Sequence, residues 1–172
     1  LGVMYYNGQG VPQNYKEAVK WFRLSAEQGV ADAQNVLGAM YDHGLGVPQD
    51  YKEAVRLYRL SAEQRFAEAQ YYLGWMYGKG QGVSQDYKES FKWYRLAAEQ
   101  GFADAQKDLG LMYFKGQGVL QDYVLAHMWF NICAAGEGEN CVEKRNRVQR
   151  KMTQSQIEKA QEMARNWKPT KN

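Results

Sequence analysis

Few residues in this 172-residue chain have the type and spacing for covalent or metal chemistry. There are two histidines, His43 and His127, and neither has a cysteine or histidine at ligand spacing, so no zinc-type set is expected. The glycine-rich "GKGQG" at 78–82 lacks the Lys-Ser/Thr that a phosphate loop places on its nucleotide. A basic cluster, Lys144, Arg145, Arg147, Arg150 and Lys151, has the charge to meet phosphates. It has no interleaved aromatics to stack on bases, so a solvated helix face is the expectation and nucleic acid is not. No catalytic residue, cofactor or metal site is read from the chain, and it is not expected to be an enzyme.

The chain repeats itself instead. "MYYNGQGVPQNYKEAVKWFRLSAEQ" at 4–28 returns at 40–64, 76–100 and 112–136 with only some positions changed, a period of 36 residues. Self-similarity at such a period marks a solenoid of helical units. Each unit reads as two helices. Helix A, as in "ADAQNVLGAMYDHG", is expected to end at a glycine pair such as Gly44 and Gly46. Helix B starts at "QDYKEA", with Asn14, Asp50 and Asp86 as N-caps and Glu17, Glu53 and Glu89 completing capping boxes. Leu1-Gly2 stands in register with Leu37-Gly38, so the chain is expected to begin inside a repeat, with any targeting segment upstream.

A two-helix unit cannot bury its own apolar stripe, so neighbours must stack. Ala26, Ala62, Ala98 and Ala134, with Ala33, Ala69 and Ala105, are small where helices approach, while Trp21, Trp93 and Trp129 supply bulk and Leu57 replaces them in the second unit. Lys16, Lys20, Arg23 and Glu27 and their copies make a polar stripe on helix B, read as a solvated outer wall with Arg–Glu pairs at i,i+4. In the fourth unit this stripe becomes Val124, Met128, Asn131 and Ala135, and must be covered. The cover is expected from 137–172, where "ENCVEKRNRVQRKM" and "TQSQIEKAQEMARNW" read as two helices, the second capped by Thr153 and Gln156. That segment holds 9 Lys/Arg against 5 Asp/Glu, while 1–136 is balanced at 13 against 14. No apolar run approaches the roughly 18 residues of a membrane span.

The pattern "A-x-A-Q-x-x-L-G-x-M-Y…G-x-G-V…Q-D-Y-x-x-A…W-Y-x-x-A-A-E-Q-G" resembles the Sel-1-like repeat family, a branch of the tetratricopeptide superfamily, and the terminal "MTQSQIEKAQEMARNWKP" is similar to the end of bacterial members. The resemblance implies an all-α fold, a right-handed α/α superhelical solenoid of antiparallel helix pairs, used as a scaffold for a protein or peptide partner. The expected division is a partial repeat at 1–28, repeats at 29–64, 65–100 and 101–136, and a capping helix pair at 137–172. Two other readings stand beside the scaffold: an enzyme or binder acting on cell-wall material, suggested by relatives alone, and a structural spacer between domains. No S-x-x-K nucleophile motif supports the first.

On a wheel at about 100° per residue, the recurring positions of helix A fall on one side and the changing ones on the other. Helix A lines the concave side of related superhelices, so the changing residues are the expected partner-binding set. They are Asn35, Asp42 and His43 in the second unit; Tyr71, Tyr72, Trp75 and Lys79 in the third; and Lys107, Leu111, Phe114 and Lys115 in the fourth. His127 replaces Val19, Val55 and Phe91 and is expected to be partly buried on helix B. Cys133 and Cys141 occupy positions that are small in the other copies, and their C-x7-C spacing matches the cysteine-rich branch of the family, shifted by one position. A disulfide and two buried thiols are both compatible with this; a bridge would favour a periplasmic or secreted location.

Overall fold

Helix boundaries follow the repeated words. The structure is a computed structural model that describes residues 1–136, 138 and 140–170, and every regular element in them is an α-helix. The chain divides into two units, Leu1–Gln85 and Asp86–Asn172. The first holds α1 (Gly2–Asn7), α2 (Tyr15–Glu27), α3 (Ala31–His43), α4 (Tyr51–Glu63) and α5 (Ala67–Lys79). The second holds α6 (Tyr87–Glu99), α7 (Ala103–Lys115), α8 (Tyr123–Ala135), α9 (Cys141–Gln149) and α10 (Gln154–Asn166). Helices α1, α3, α5 and α7 are the A helices; α2, α4, α6 and α8 are the B helices.

The two glycines of each G-x-G have different tasks. Gly44, Gly80 and Gly116 are left-handed C-caps whose N–H donates to the carbonyls of Met40, Met76 and Met112. The second glycine does not cap. It lets the loop touch the first residue of the preceding B helix: a Cβ at Gly46, Gly82 or Gly118 would lie 2.5, 2.2 or 2.1 Å from the carbonyl oxygen of Tyr15, Tyr51 or Tyr87. A third glycine, in the repeated Leu-Gly, lets an aromatic ring of the partner B helix lie on the A helix. A Cβ at Gly38 would meet Tyr58 at 3.0 Å, and one at Gly110 would meet Phe130 at 2.8 Å.

The polar words satisfy backbone groups that helix ends leave unpaired. The Gln13, Gln49, Gln85 and Gln121 side chains donate to the carbonyls of Tyr6, Asp42, Gly78 and Phe114 near the ends of the A helices. Buried Gln34, Gln70 and Gln106 donate to Ala26, Ala62 and Ala98 at the ends of the preceding B helices. Asn14, Asp50 and Asp86 cap the B helices as expected, accepting from the N–H groups of Glu17, Glu53 and Glu89. The glutamates of the first two do not close the box. The N-cap amides of Asn14 and Asp50 already donate to the carbonyls of Tyr5 and Tyr41. Glu17 and Glu53 instead take Lys20 at 2.6 Å and Arg56 in a bidentate pair at 2.7 and 2.8 Å. Among the described residues, the full capping box is the one between Thr153 and Gln156 of α10.

The outer wall also differs in detail. An i,i+4 pair joins Arg95 to Glu99 at 3.6 Å. Arg23 and Arg59 instead donate to the hydroxyls of Tyr41 and Tyr77 on the next A helix, at 2.8 and 2.6 Å. These bonds tie successive repeats together, which a surface pair within one helix does not. The tryptophans split as well. Trp129 is buried, Trp93 is half-buried under the Lys92 ammonium, and Trp21 is exposed.

In the second unit the outer face of α8 is covered in part: Val124 and Asn131 are half-buried and Ala135 is exposed. Met128 and Ile132 are buried, α10 turns Ile157 and Ala160 inward, and Trp129 meets Trp167 edge-on at 5.9 Å. Arg145 of α9 donates to Asn131. Cys133 and Cys141 form a disulfide between α8 and α9, and Gly138 lies so close that a Cβ there would overlap the Cys133 sulfur.

Two outcomes follow. Gly44→Ala is expected to cost about 1–2 kcal/mol for its left-handed φ alone. Gly82→Ala, with φ +70° and a backbone oxygen in the way, should lower the thermal midpoint markedly more; equal midpoints would refute the close-approach role. For the bridge, alkylation of the unreduced chain should leave its intact mass unchanged, and reduction should admit two alkyl groups at a cost of about 2–3 kcal/mol in stability.

Candidate functional site

The expected binding residues divide by unit. In the first, the side of α3 and α5 that varies between repeats carries half-buried Tyr71, Tyr72 and Trp75 with exposed His43 and Lys79. Asn35 and Asp42 are buried, at 3% and 7% exposure, so at these two positions the expected open face is closed. Tyr72 stacks on the buried Tyr58 ring at 5.3 Å and meets Tyr71 at 5.4 Å, so part of this aromatic set is packing. In the second unit, Leu111 and Phe114 pack against the cluster of Ala126, Phe130 and Val148, and Arg147 lies over the Phe114 ring. Lys107 pairs with Asp104, and Lys115 is exposed.

Burial shapes the electrostatics of the first unit. The Glu68 carboxyl is pushed up by burial and by the nearby Asp32 charge, while a hydrogen bond from Asn35 opposes the shift. The Asn35 Oδ1 has no hydrogen-bond partner among the described residues. Burial likewise raises Asp42, with His43 and the Tyr58 hydroxyl pulling the other way. Tyr58 lies beside Asp42 without reaching full hydrogen-bond geometry, and its own ionisation is pushed well above the usual range, chiefly by burial. The face therefore presents half-buried aromatic rings, with Asn35 and Asp42 closed off beneath it.

Among the described residues no group of three or more His, Cys, Asp or Glu is gathered to hold a metal, and no helix is long and apolar enough to cross a membrane. His127 is fully buried, deeper than expected, and neither ring nitrogen has a hydrogen-bond partner among the described residues. The basic cluster is partly spent on packing, with Lys151 over the Tyr123 ring as well as Arg145 on Asn131 and Arg147 on Phe114.

One feature was not anticipated. A cleft of about 520 Å³ opens between α2 and α4, on the side taken for a plain solvated wall. Leu37, Leu57 and Leu60 line it, with Arg23, Glu27, Glu53 and Arg56 around them. The replacement of tryptophan by Leu57 was the signal available in the sequence.

The Sel1 repeat model matches four times, at residues 1–30, 31–66, 67–102 and 103–135. The chain belongs to the Sel1-repeat family. No curated protein sequence matches it. Among solved structures, it is similar to a protective antigen of uropathogenic Escherichia coli displaying an SLR fold, at 37% identity and a TM-score of 0.90 over 97% of this chain. It spans 36% of that antigen's length. A Sel1 repeat protein from Oxalobacter formigenes matches 95% of this chain and 67% of its own at 32% identity and a TM-score of 0.82. The fold class is thus the all-α solenoid of antiparallel helix pairs that the repeats imply. Sel1-repeat proteins are generally non-catalytic scaffolds for protein interaction.

Burial pushes the pKa of His127 below the ordinary histidine value, Arg145 adds to this, and Gln149 opposes it. The unfolded chain then binds this proton near pH 6.5 while the folded chain does not. Stability contributed by neutral His127 is present above pH 6.5 and is lost as pH falls, by up to about 1.4 kcal/mol per unit. The raised carboxyls Asp42 and Glu68 act in the opposite sense at lower pH. The difference between wild type and His127→Phe isolates the histidine: calorimetry from pH 7.5 to 5 should show the variant losing less, and parallel curves would refute the assignment.

Proposed function

We propose that this chain is a protein-interaction scaffold that holds a segment of a partner protein against the variable faces of α3 and α5. The observation that carries this reading is the set of half-buried aromatics Tyr71, Tyr72 and Trp75 on the face that varies between repeats, beside exposed His43 and Lys79. Half-buried aromatics offer rigid apolar anchorage, the usual material of interface hot spots. Glu68 and Asp32 favour a segment bearing a donor or positive charge at this point. In the second unit, Lys107 and Lys115 carry the charged part of the equivalent face.

The test is selection of a displayed peptide library on the intact chain, followed by titration of the selected peptides. Trp75→Ala and Tyr71→Ala are expected to weaken binding tenfold or more while the thermal midpoint stays within a few degrees of wild type. Trp129→Ala, at a buried position, should instead destabilise the fold by about 3–5 kcal/mol. Peptides that bind both variants of α5 as tightly as wild type would overturn the reading.

A further inference from the structure

The last described residues of the chain supply a template for a second binding surface. After α10, Trp167 leaves the helix in extended, polyproline-like backbone at φ −69° and ψ 140°. From there the segment makes three contacts in the second unit. Trp167 meets Trp129 on α8, Pro169 lies against Gly101, and the Thr170 N–H and hydroxyl both donate to the Glu99 carbonyl at the end of α6, at 2.8 and 3.2 Å.

Two repeats earlier, the residues equivalent to Trp129, Gly101 and Glu99 are Leu57, Gly29 and Glu27. All three line the 520 Å³ cleft between α2 and α4. Leu57 stands where the other three units have Trp21, Trp93 and Trp129, so this cleft lacks the indole that would narrow it. Arg56 replaces Met128 and is held by Glu53, and Arg23 is held by Tyr41. The Glu27 carboxylate at the rim favours a basic residue. That is the chemistry of Trp167-Lys168-Pro169-Thr170 itself.

We infer that the cleft between α2 and α4 binds an extended segment of a partner protein with an aromatic residue, a basic residue and a proline in succession. The aromatic ring lies on exposed Leu60 where no indole occupies the cleft above buried Leu57, the proline pre-sets extended backbone, and the following N–H donates to the Glu27 carbonyl. This surface lies on the B-helix side and does not depend on the α3–α5 face.

A labelled peptide of the sequence RNWKPTKN, titrated into the intact chain and followed by anisotropy, tests it. Saturable binding is expected, with cross-links mapping to α2 and α4, and replacing the peptide's tryptophan by alanine should weaken it at least tenfold. Leu60→Glu, at an exposed position, should abolish binding with the thermal midpoint retained; Leu57→Trp installs the residue the other units carry and should also abolish binding, its midpoint measured alongside because Leu57 is buried here. Absence of saturation to millimolar peptide, binding unchanged in Leu57→Trp, or cross-links confined to α6 and α8 would overturn the inference. Concentration-dependent dimerisation abolished by Leu57→Trp would also overturn it, since the occupant would then be a second copy.

Discussion

The fold depends on a close approach between backbones. The loops that follow α3, α5 and α7 run over the first turn of the preceding B helix, so near that the second glycine of G-x-G has a carbonyl oxygen where a Cβ would stand. No other residue fits at Gly46, Gly82 or Gly118, and the left-handed φ there excludes larger residues a second time. This contact sets the spacing of successive repeats within each unit. It also explains why the second glycine recurs while the residue before the pair varies among Asn7, His43, Lys79 and Lys115.

Close approach leaves polar groups with little access to water, and the repeated polar words deal with them one by one. A glutamine seals the end of each A helix, an aspartate or asparagine seals the start of each B helix, and a buried glutamine takes a carbonyl at the end of the preceding B helix. Because Asp50 N–H is already bonded to Tyr41, Glu53 is released to hold Arg56 on the outside. One backbone bond thereby changes what the surface presents.

With the stacking surface settled by such contacts, the remaining faces can differ between repeats without cost to the fold. The differences have chemical content: half-buried aromatics on one side of the first unit, a leucine-lined cleft with charged edges on the other. In the second unit comparable surface is consumed internally, by α9, α10 and the segment that follows. The array therefore ends by using on itself the contacts that its earlier repeats leave open.

The helices, their N-cap residues and their pairing were legible in the sequence, because period, glycine positions and N-cap residues act over a few residues and recur four times; the capping boxes expected with Glu17 and Glu53 do not form, because the Asn14 and Asp50 amides bond to the preceding A helix. The disulfide was half legible: equivalent positions identified Cys133 and Cys141 as neighbours, but pairing requires the two sulfurs to meet, which the packing of α8 on α9 decides. Burial of Asn35 and Asp42 and the packing of half-buried Leu111 and Phe114 were not legible, since a helical wheel assigns a direction to a side chain and says nothing of what lies there. The same limit hid the cleft beside Leu57. The sequence by itself determined which residues repeat and hence which local bonds form; only the tertiary structure decided which varied residues are covered, because covering depends on helices many residues away in the chain.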